Sequence, residues 1–138
     1  MKQNELRIGN IVHVVDGFVS GNIPIDMGMM AQLHYNHIQV TPIPLTEEWL
    51  VRAGFEIVKR IYQHPLDRSD YTLMSFKFKN FEAKRYHYVA TGEDTHGWEF
   101  KCYDKMIPIW IGVTDYVHQL QNLYFALTGE ELNFANVK

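Results

Sequence analysis

Alternation between apolar and polar residues dominates the middle of the chain. Phe76 and Phe78 fall on one side of an extended strand, whereas Lys77 and Lys79 fall on the other. The same alternation recurs over residues 98–103. A period of two residues is typical of an antiparallel strand with one buried and one solvated face. We therefore predict an antiparallel β meander with strands at residues 55–63, 71–79, 85–90 and 98–103, followed by a buried strand at 106–113.

Two segments carry helical signals instead. Thr46 suits an N-cap and is followed by Glu47 and Glu48, which the helix dipole favours in a first turn. A short helix is predicted there, and it ends near Gly54. Residues 116–128 predict a second helix that ends at Gly129. Its apolar stripe, at helical spacing, consists of Tyr116, Val117, Leu120, Leu123, Tyr124 and Leu127.

The N-terminal part of the chain predicts a small β unit. Residues 6–15 are rich in β-branched side chains and stop at Asp16-Gly17, a turn pair. Pro42 and Pro44 later end strand pairing, because proline has no N–H to donate. Further short strands are predicted at residues 18–19, 30–35 and 37–43.

These elements predict an α+β fold in a single domain, residues 1–138. The order is an N-terminal β unit, a short helix, the meander and an amphipathic C-terminal helix packed on the sheet. Residues 1–44 form a β-rich subregion, and residues 45–138 hold the remaining elements. A chain of 138 residues fits one domain of ordinary size.

The net charge bears on the function of the protein, and its cysteine content bears on its cellular compartment. The formal charge is −3, with 13 Lys and Arg against 16 Asp and Glu. Most nucleic-acid-binding proteins have a basic excess instead. Cys102 is the single cysteine, so no intrachain disulfide forms, which suits a reducing compartment. With no apolar signal-peptide segment in the sequence, we expect a cytoplasmic protein.

Three stretches resemble a known group of proteins. They are LRIGN at residues 6–10, PIPLTEEWL at 42–50 and YVHQLQNLYFALTGEEL at 116–132. Together they resemble small uncharacterised proteins encoded in prophages and mobile elements of Bacteroides-type bacteria. The resemblance implies a cytoplasmic accessory protein of mobile DNA and assigns no site. Residues 8–12, with Asp16-Gly17 and Gly21, also look like the opening of a KOW-like barrel, a fold that commonly binds nucleic acid or protein.

The C-terminal helix has an unusual second face. Opposite the apolar stripe lie His118, Gln121, Asn122 and Phe125, with no charged side chain among them. Exposed helix faces usually carry Lys and Glu, so this face predicts a contact with another protein or with a second copy. The alternative is that the tail folds back and covers the face through Phe134 and Val137. A non-enzymatic interaction protein is the leading hypothesis.

Nucleic-acid binding is the second hypothesis. It uses cations that are predicted to share the wet face of the meander: Lys77, Lys79, Arg85, His87 and Lys101. The more ordinary interpretation is a solvated sheet face, on which these cations pair with Glu82 and Glu99 across the strands.

A metal-dependent nuclease is the third hypothesis. Asp67 followed by Glu82-Ala83-Lys84 resembles the acidic residue and acid-x-Lys motif of restriction-type nucleases, which hold Mg²⁺. However, Glu82 to Lys84 falls at a predicted hairpin turn, where charged residues are ordinarily solvated. The seven histidines are dispersed and show no zinc-ligand spacing. We therefore predict no catalytic residue, no metal site and no cofactor.

Overall fold

The computed structural model describes residues 5–15, 20–35, 38–63, 70–88, 97–104 and 107–135. Its contacts divide the chain into two compact units, Met1–Trp49 with Tyr116–Lys138 and Leu50–Asp115. The fold is α+β, as predicted, with two antiparallel sheets and three helices in the described ranges. No helix within these ranges combines the length and the apolar character needed to cross a membrane. The single-domain organisation stays a prediction.

The first unit contains a three-stranded sheet. Its strands are β1 (Ile11–Val15), β2 (Ser20–Pro24) and β3 (Gln39–Thr41), in the antiparallel order β2-β1-β3. Helix α1 (Met27–His34) follows β2. Alternate residues of β1 point to opposite faces of the sheet. One face and α1 bury a core made of Leu6, Val12, Val14, Ile25 and Leu33.

The C-terminal helix belongs to this first unit. Helix α3 spans Val117–Thr128 and packs against β1, which confirms that the C-terminal helix lies on a sheet. Its first turn is bonded to the segment that follows β3, because Val117 N–H donates to the Ile43 carbonyl at 2.9 Å. Beyond the helix, the Phe134 ring packs edge-on against Trp49 with centroids 5.3 Å apart. The unit is thus built from segments that are distant in sequence.

The second unit is a five-stranded meander, as the alternation predicts. Helix α2 (Glu47–Arg52) leads into it, and the strands follow one another in both sequence and space. They are β4 (Glu56–Gln63), β5 (Asp70–Phe78), β6 (Phe81–Tyr88), β7 (Trp98–Asp104) and β8 (Ile107–Thr114). Phe76, Ala83 and Phe100 lie directly opposite one another across three strands and are buried. These side chains define the core face of the sheet.

One predicted strand is a helix. Residues 30–35 were predicted as a strand, but residues 27–34 form α1. The Asp26 carboxylate accepts a hydrogen bond from Met29 N–H at 2.8 Å, which is an N-cap interaction. Methionine and alanine also favour helix, so the N-cap and the local helix propensity together account for α1. The predicted strand at residues 18–19 lies outside the described residues.

Two predicted boundaries also move. The first strand begins at Ile11 and not at Leu6, because Gly9 adopts a left-handed φ of 93° in a turn. Strand β6 begins at Phe81, so Glu82 lies within a strand and not in a hairpin turn. The turn between β5 and β6 is therefore tighter than predicted. Lys79 adopts the left-handed backbone conformation that a tight hairpin turn requires. A KOW-like barrel is not confirmed, because the described N-terminal strands form the three-stranded sheet.

Candidate functional site

A tight turn at residues 7–10 forms the first half of the candidate site. Asn10 N–H donates to the Arg7 carbonyl at 3.0 Å, and Arg7 N–H donates to the Asn10 side-chain oxygen at 2.8 Å. Gly9 occupies the left-handed position, where its N–H reaches the Ile25 carbonyl at 2.7 Å. Asn10 is completely buried. The side chain of Asn10 therefore acts as an internal brace for the turn.

Gln121 of α3 extends the hydrogen bonding of this turn. Its side-chain oxygen accepts from Ile11 N–H at 2.8 Å, and its side-chain nitrogen donates to the Gly9 carbonyl at 3.0 Å. A glutamine amide has an acceptor oxygen and a nitrogen that donates twice. It can therefore make the hydrogen bonds to a buried backbone that a neighbouring strand would otherwise make. Only 2% of Gln121 is exposed. Its role is to join the helix to the backbone at residues 9–11.

Asn122 makes the neighbouring set of contacts. Its side-chain oxygen accepts from the Asn10 side-chain nitrogen at 2.9 Å and from Arg7 Nε at 3.1 Å. Its side-chain nitrogen donates to the Glu5 carbonyl at 2.8 Å. Two consecutive amides of α3 thus bind one N-terminal segment, and each polar atom has a partner.

Arg7 closes the arrangement on its outer side. Its guanidinium binds both carboxylate oxygens of Glu131, with Nη2 at 3.2 Å from Oε2, and also reaches the Gln121 carbonyl at 3.3 Å. The same guanidinium lies 4.2 Å from the centroid of the Phe125 ring, in cation–π contact. We call Arg7, Asn10, Gln121, Asn122 and Glu131 the junction.

A pocket opens beside the junction and lies entirely within the first unit. Its volume is about 540 Å³, within the range of ligand-binding pockets. It is lined by Ile8, Gly9, Ile11, Pro24, Gln121, Glu131, Leu132, Asn133 and Phe134. We call it the junction pocket. Most of its walls are apolar, and the charge of Glu131 is neutralised by Arg7.

The predicted helix face is used inside the protein. His118 and Gln121 are only 1% and 2% exposed, so these two side chains are buried by the protein's own residues. Asn122 is half-buried and Phe125 is 38% exposed beneath Arg7. The face carries no charge because its amides bind buried backbone. A partner contact at these four residues stays a prediction.

The predicted covering of this face by the tail takes a different form. Phe134 packs on Trp49, and it is the Arg7 guanidinium that lies over Phe125. Val137 lies outside the described residues. The segment that covers the helix face is therefore the turn at residues 7–10.

His118 is a buried histidine. Among the residues that the structure describes, neither of its ring nitrogens has a hydrogen-bond partner, and the ring stacks on Tyr116 with centroids 5.9 Å apart. Burial lowers the pKa of His118, although the charge of Glu5 opposes this shift. The ring is therefore held in its neutral form at neutral pH.

The predicted basic face of the meander is divided between two faces. Lys77 and Lys101 lie on one face, in a cross-strand row that runs Glu56, Lys77, Glu82, Lys101. Arg85 lies on the opposite face, with its guanidinium 5.4 Å from the Trp98 ring, and His87 shares that face. The expectation of one shared face is wrong, because residues two apart share a face and Arg85 is three from Glu82. Nucleic-acid binding through the meander stays a prediction.

Glu82 sits at the centre of a polar cluster on the Lys77 face. Its carboxylate is 4% exposed and accepts from Ser75 Oγ at 2.8 Å, from Lys84 Nζ at 3.2 Å and from the Tyr103 hydroxyl. Burial raises the pKa of Glu82, but these three partners outweigh burial and lower it below 4.5. The Glu82 hydrogen bond in turn raises the pKa of Tyr103.

The nuclease motif is only partly visible. Glu82 and Lys84 lie on one face of β6 and pair with each other, while Asp67 lies outside the described residues. Both oxygens of Glu82 already accept hydrogen bonds from protein groups. Within the described ranges, no group of three His, Cys, Asp or Glu side chains is arranged to hold a metal ion.

Sequence reasoning missed Arg7, Asn10 and Glu131. Their partners lie more than 100 positions away in sequence, and no local pattern reports such a pairing. The available signal was the pair Gln121-Asn122 on an uncharged helix face, since amides of this kind can bind backbone groups in place of solvent. The three stretches at residues 6–10, 42–50 and 116–132 do meet, through the junction and the Ile43 to Val117 hydrogen bond.

Comparison with known proteins gives no match, since no family model, curated protein or solved structure is significantly similar to the chain.

Proposed function

We propose that the chain is a non-enzymatic interaction protein that holds a partner protein at the junction pocket. The observation that carries this proposal is the pocket itself, a cavity of about 540 Å³ with mostly apolar walls. Ile8 stands at the pocket and is 50% exposed, although it belongs to a turn that is otherwise well bonded. An exposed apolar side chain on a rigid turn is suited to a protein contact.

The rigidity of the pocket walls supports the proposal. Ile8 and Gly9 lie in the turn that Asn10 braces, and Gln121 binds the backbone on either side of Asn10. Walls that are ordered in advance cost little entropy when a partner binds. In line with the resemblance of residues 116–132, we propose that the protein serves as a cytoplasmic accessory protein of a phage or mobile element.

A photo-cross-linking experiment tests the proposal. A photoreactive amino acid is placed at residue 8, and in a matched control it is placed at residue 15, because Ile8 and Val15 are 50% and 53% exposed in the same unit. In the native host, position 8 is expected to yield a discrete cross-linked protein that position 15 does not. Equal products from both positions, or none from position 8, would contradict the proposal.

A further inference from the structure

Residues 131–134, which we call the tail, border the junction pocket. Their side chains alternate as in a β-strand, although no strand in the described part of the chain pairs with them. We infer that the protein bound there presents an extended, uncharged peptide segment, which pairs with the backbone at residues 131–134 and seats apolar side chains in the pocket. This inference rests on the proposed function and specifies the chemistry of the partner.

The tail is fixed by alternate side chains. Leu132 is buried and Phe134 packs on Trp49, whereas Glu131 and Asn133 are exposed. A period of two is the alternation of an extended strand, in which successive side chains point in opposite directions. The segment is therefore anchored along one side, as the edge of a sheet would be.

The backbone of this anchored segment has groups that could pair with another chain. Within the described part of the protein, Leu132 and Asn133 make no hydrogen bond to any other residue. An extended segment with free N–H and C=O groups is a template for an added strand. An incoming peptide would therefore gain main-chain hydrogen bonds in addition to apolar contacts.

The charges around the pocket determine which kind of peptide segment can bind there. Among the described residues that line the pocket, Glu131 alone is charged, and Arg7 binds both of its carboxylate oxygens. The Gln121 side chain is also committed, to Ile11 N–H and the Gly9 carbonyl. A charged group entering the pocket would lose water without gaining a free counter-charge, which is costly. An uncharged segment with apolar side chains avoids this cost.

Selection from displayed peptides tests the inference. Random short peptides are selected on the full-length protein and counter-selected on the Ile8→Asp variant, which places a charge at the pocket. We expect enriched sequences that lack Lys, Arg, Asp and Glu and carry apolar residues at alternate positions. Their affinity for Ile8→Asp is expected to fall about tenfold or more, as when an interface anchor is lost. The Val15→Asp variant, with its substitution at an equally exposed position, is expected to bind as the wild type does.

A second measurement isolates the backbone pairing. The best selected peptide is resynthesised with N-methyl groups on alternate amides, in both registers. One register is expected to abolish binding and the other to preserve it, because alternate N–H groups of a strand point toward the same neighbour. Equal binding by both methylated forms, enrichment of charged sequences, or no enrichment at all would overturn the inference.

The two proposals fail in distinguishable ways. If position 8 cross-links a protein in the host but no peptide is selected, the partner presents a folded surface. In that outcome the interaction function stands and the extended segment is wrong. If residue 8 yields no specific cross-link and no peptide is selected, both proposals are wrong.

Discussion

The side-chain nitrogen of Asn10 donates to the side-chain oxygen of Asn122 at 2.9 Å, across 112 positions of sequence. This bond lies at the centre of the junction, where one helix satisfies the polar groups of a distant turn. Buried hydrogen bonds of this kind contribute modestly when made but cost much more when one partner is removed. Removing one partner of a junction hydrogen bond should therefore destabilise the first unit.

Replacing Gln121 by alanine tests this expectation. The Gln121→Ala variant leaves the Ile11 N–H and the Gly9 carbonyl without partners in a buried place. We expect the free energy of unfolding to fall by about 2–4 kcal/mol, measured by urea denaturation. The control is Leu127→Ala on the exposed side of the same helix, which is expected to change stability much less. Equal losses in the two variants would show that the amide contributes nothing specific.

The turn glycine offers a second test. Gly9 has a φ of 93°, a conformation that residues with a side chain rarely adopt. A Cβ added there would lie 3.7 Å from its nearest atom, Glu131 Oε2, so there is space for it. Gly9→Ala is therefore expected to cost about 1–2 kcal/mol through backbone strain and not through a clash. Gly21→Ala is the control, because a Cβ there meets nothing within 4 Å and its φ is not positive. Thermal unfolding should show a lower midpoint for Gly9→Ala alone, and matching midpoints would contradict the expectation.

His118 predicts a dependence of stability on pH. Burial lowers its pKa in the folded state below the ordinary 6.5. Above pH 6.5 both states are neutral, so the full stability is present. Below it only the unfolded state takes up the proton, and stability falls by up to about 1.4 kcal/mol per pH unit until the folded pKa is reached. Denaturation at several pH values should show a shallower dependence of stability on pH for His118→Leu than for the wild type. An unchanged slope in His118→Leu would refute the assignment.

The Glu82 cluster predicts energetic coupling between two side chains. The Tyr103 hydroxyl donates to the Glu82 carboxylate, and the ionised carboxylate is the form that this bond favours. A double-mutant cycle with Glu82→Gln and Tyr103→Phe is expected to give a coupling of about 1.5–3 kcal/mol at pH 7. Because the folded pKa of Glu82 is lowered, this stabilisation is present above pH 4.5 and is lost as the pH falls through the folded pKa. A coupling near zero at pH 7 would refute the prediction.

Local patterns predicted the meander well because its cause is local. Burial of Phe76 and exposure of Lys77 follow from alternation along a single strand, and each strand pairs with the next one in sequence. The ends of α3 were also predicted closely, since Gly129 takes the left-handed C-cap conformation at its φ of 73°. These elements depend on neighbouring residues that a sequence window contains.

The candidate site could not be predicted in the same way. The uncharged face of α3 was identified, but its partner was sought in another molecule or in the tail, because nothing near the face in sequence points to the turn at residues 7–10. The explanation lies in the turn at residues 7–10, which Gln121 and Asn122 contact. The burial of Glu82 was missed for a related reason, since Ser75 and Tyr103 come from different strands. In both cases the environment is set by tertiary pairing.

The first unit is formed by two segments of the chain, which residues 50–115 separate in sequence. On the ribosome the meander is therefore synthesised before α3, which supplies the Gln121 and Asn122 contacts. Until α3 emerges, the buried amide of Ile11 has no side-chain acceptor from the helix. We expect nascent chains stalled before residue 116 to be cut by protease in their first 49 residues, and the junction to acquire resistance only in chains in which α3 and Glu131 have left the ribosome.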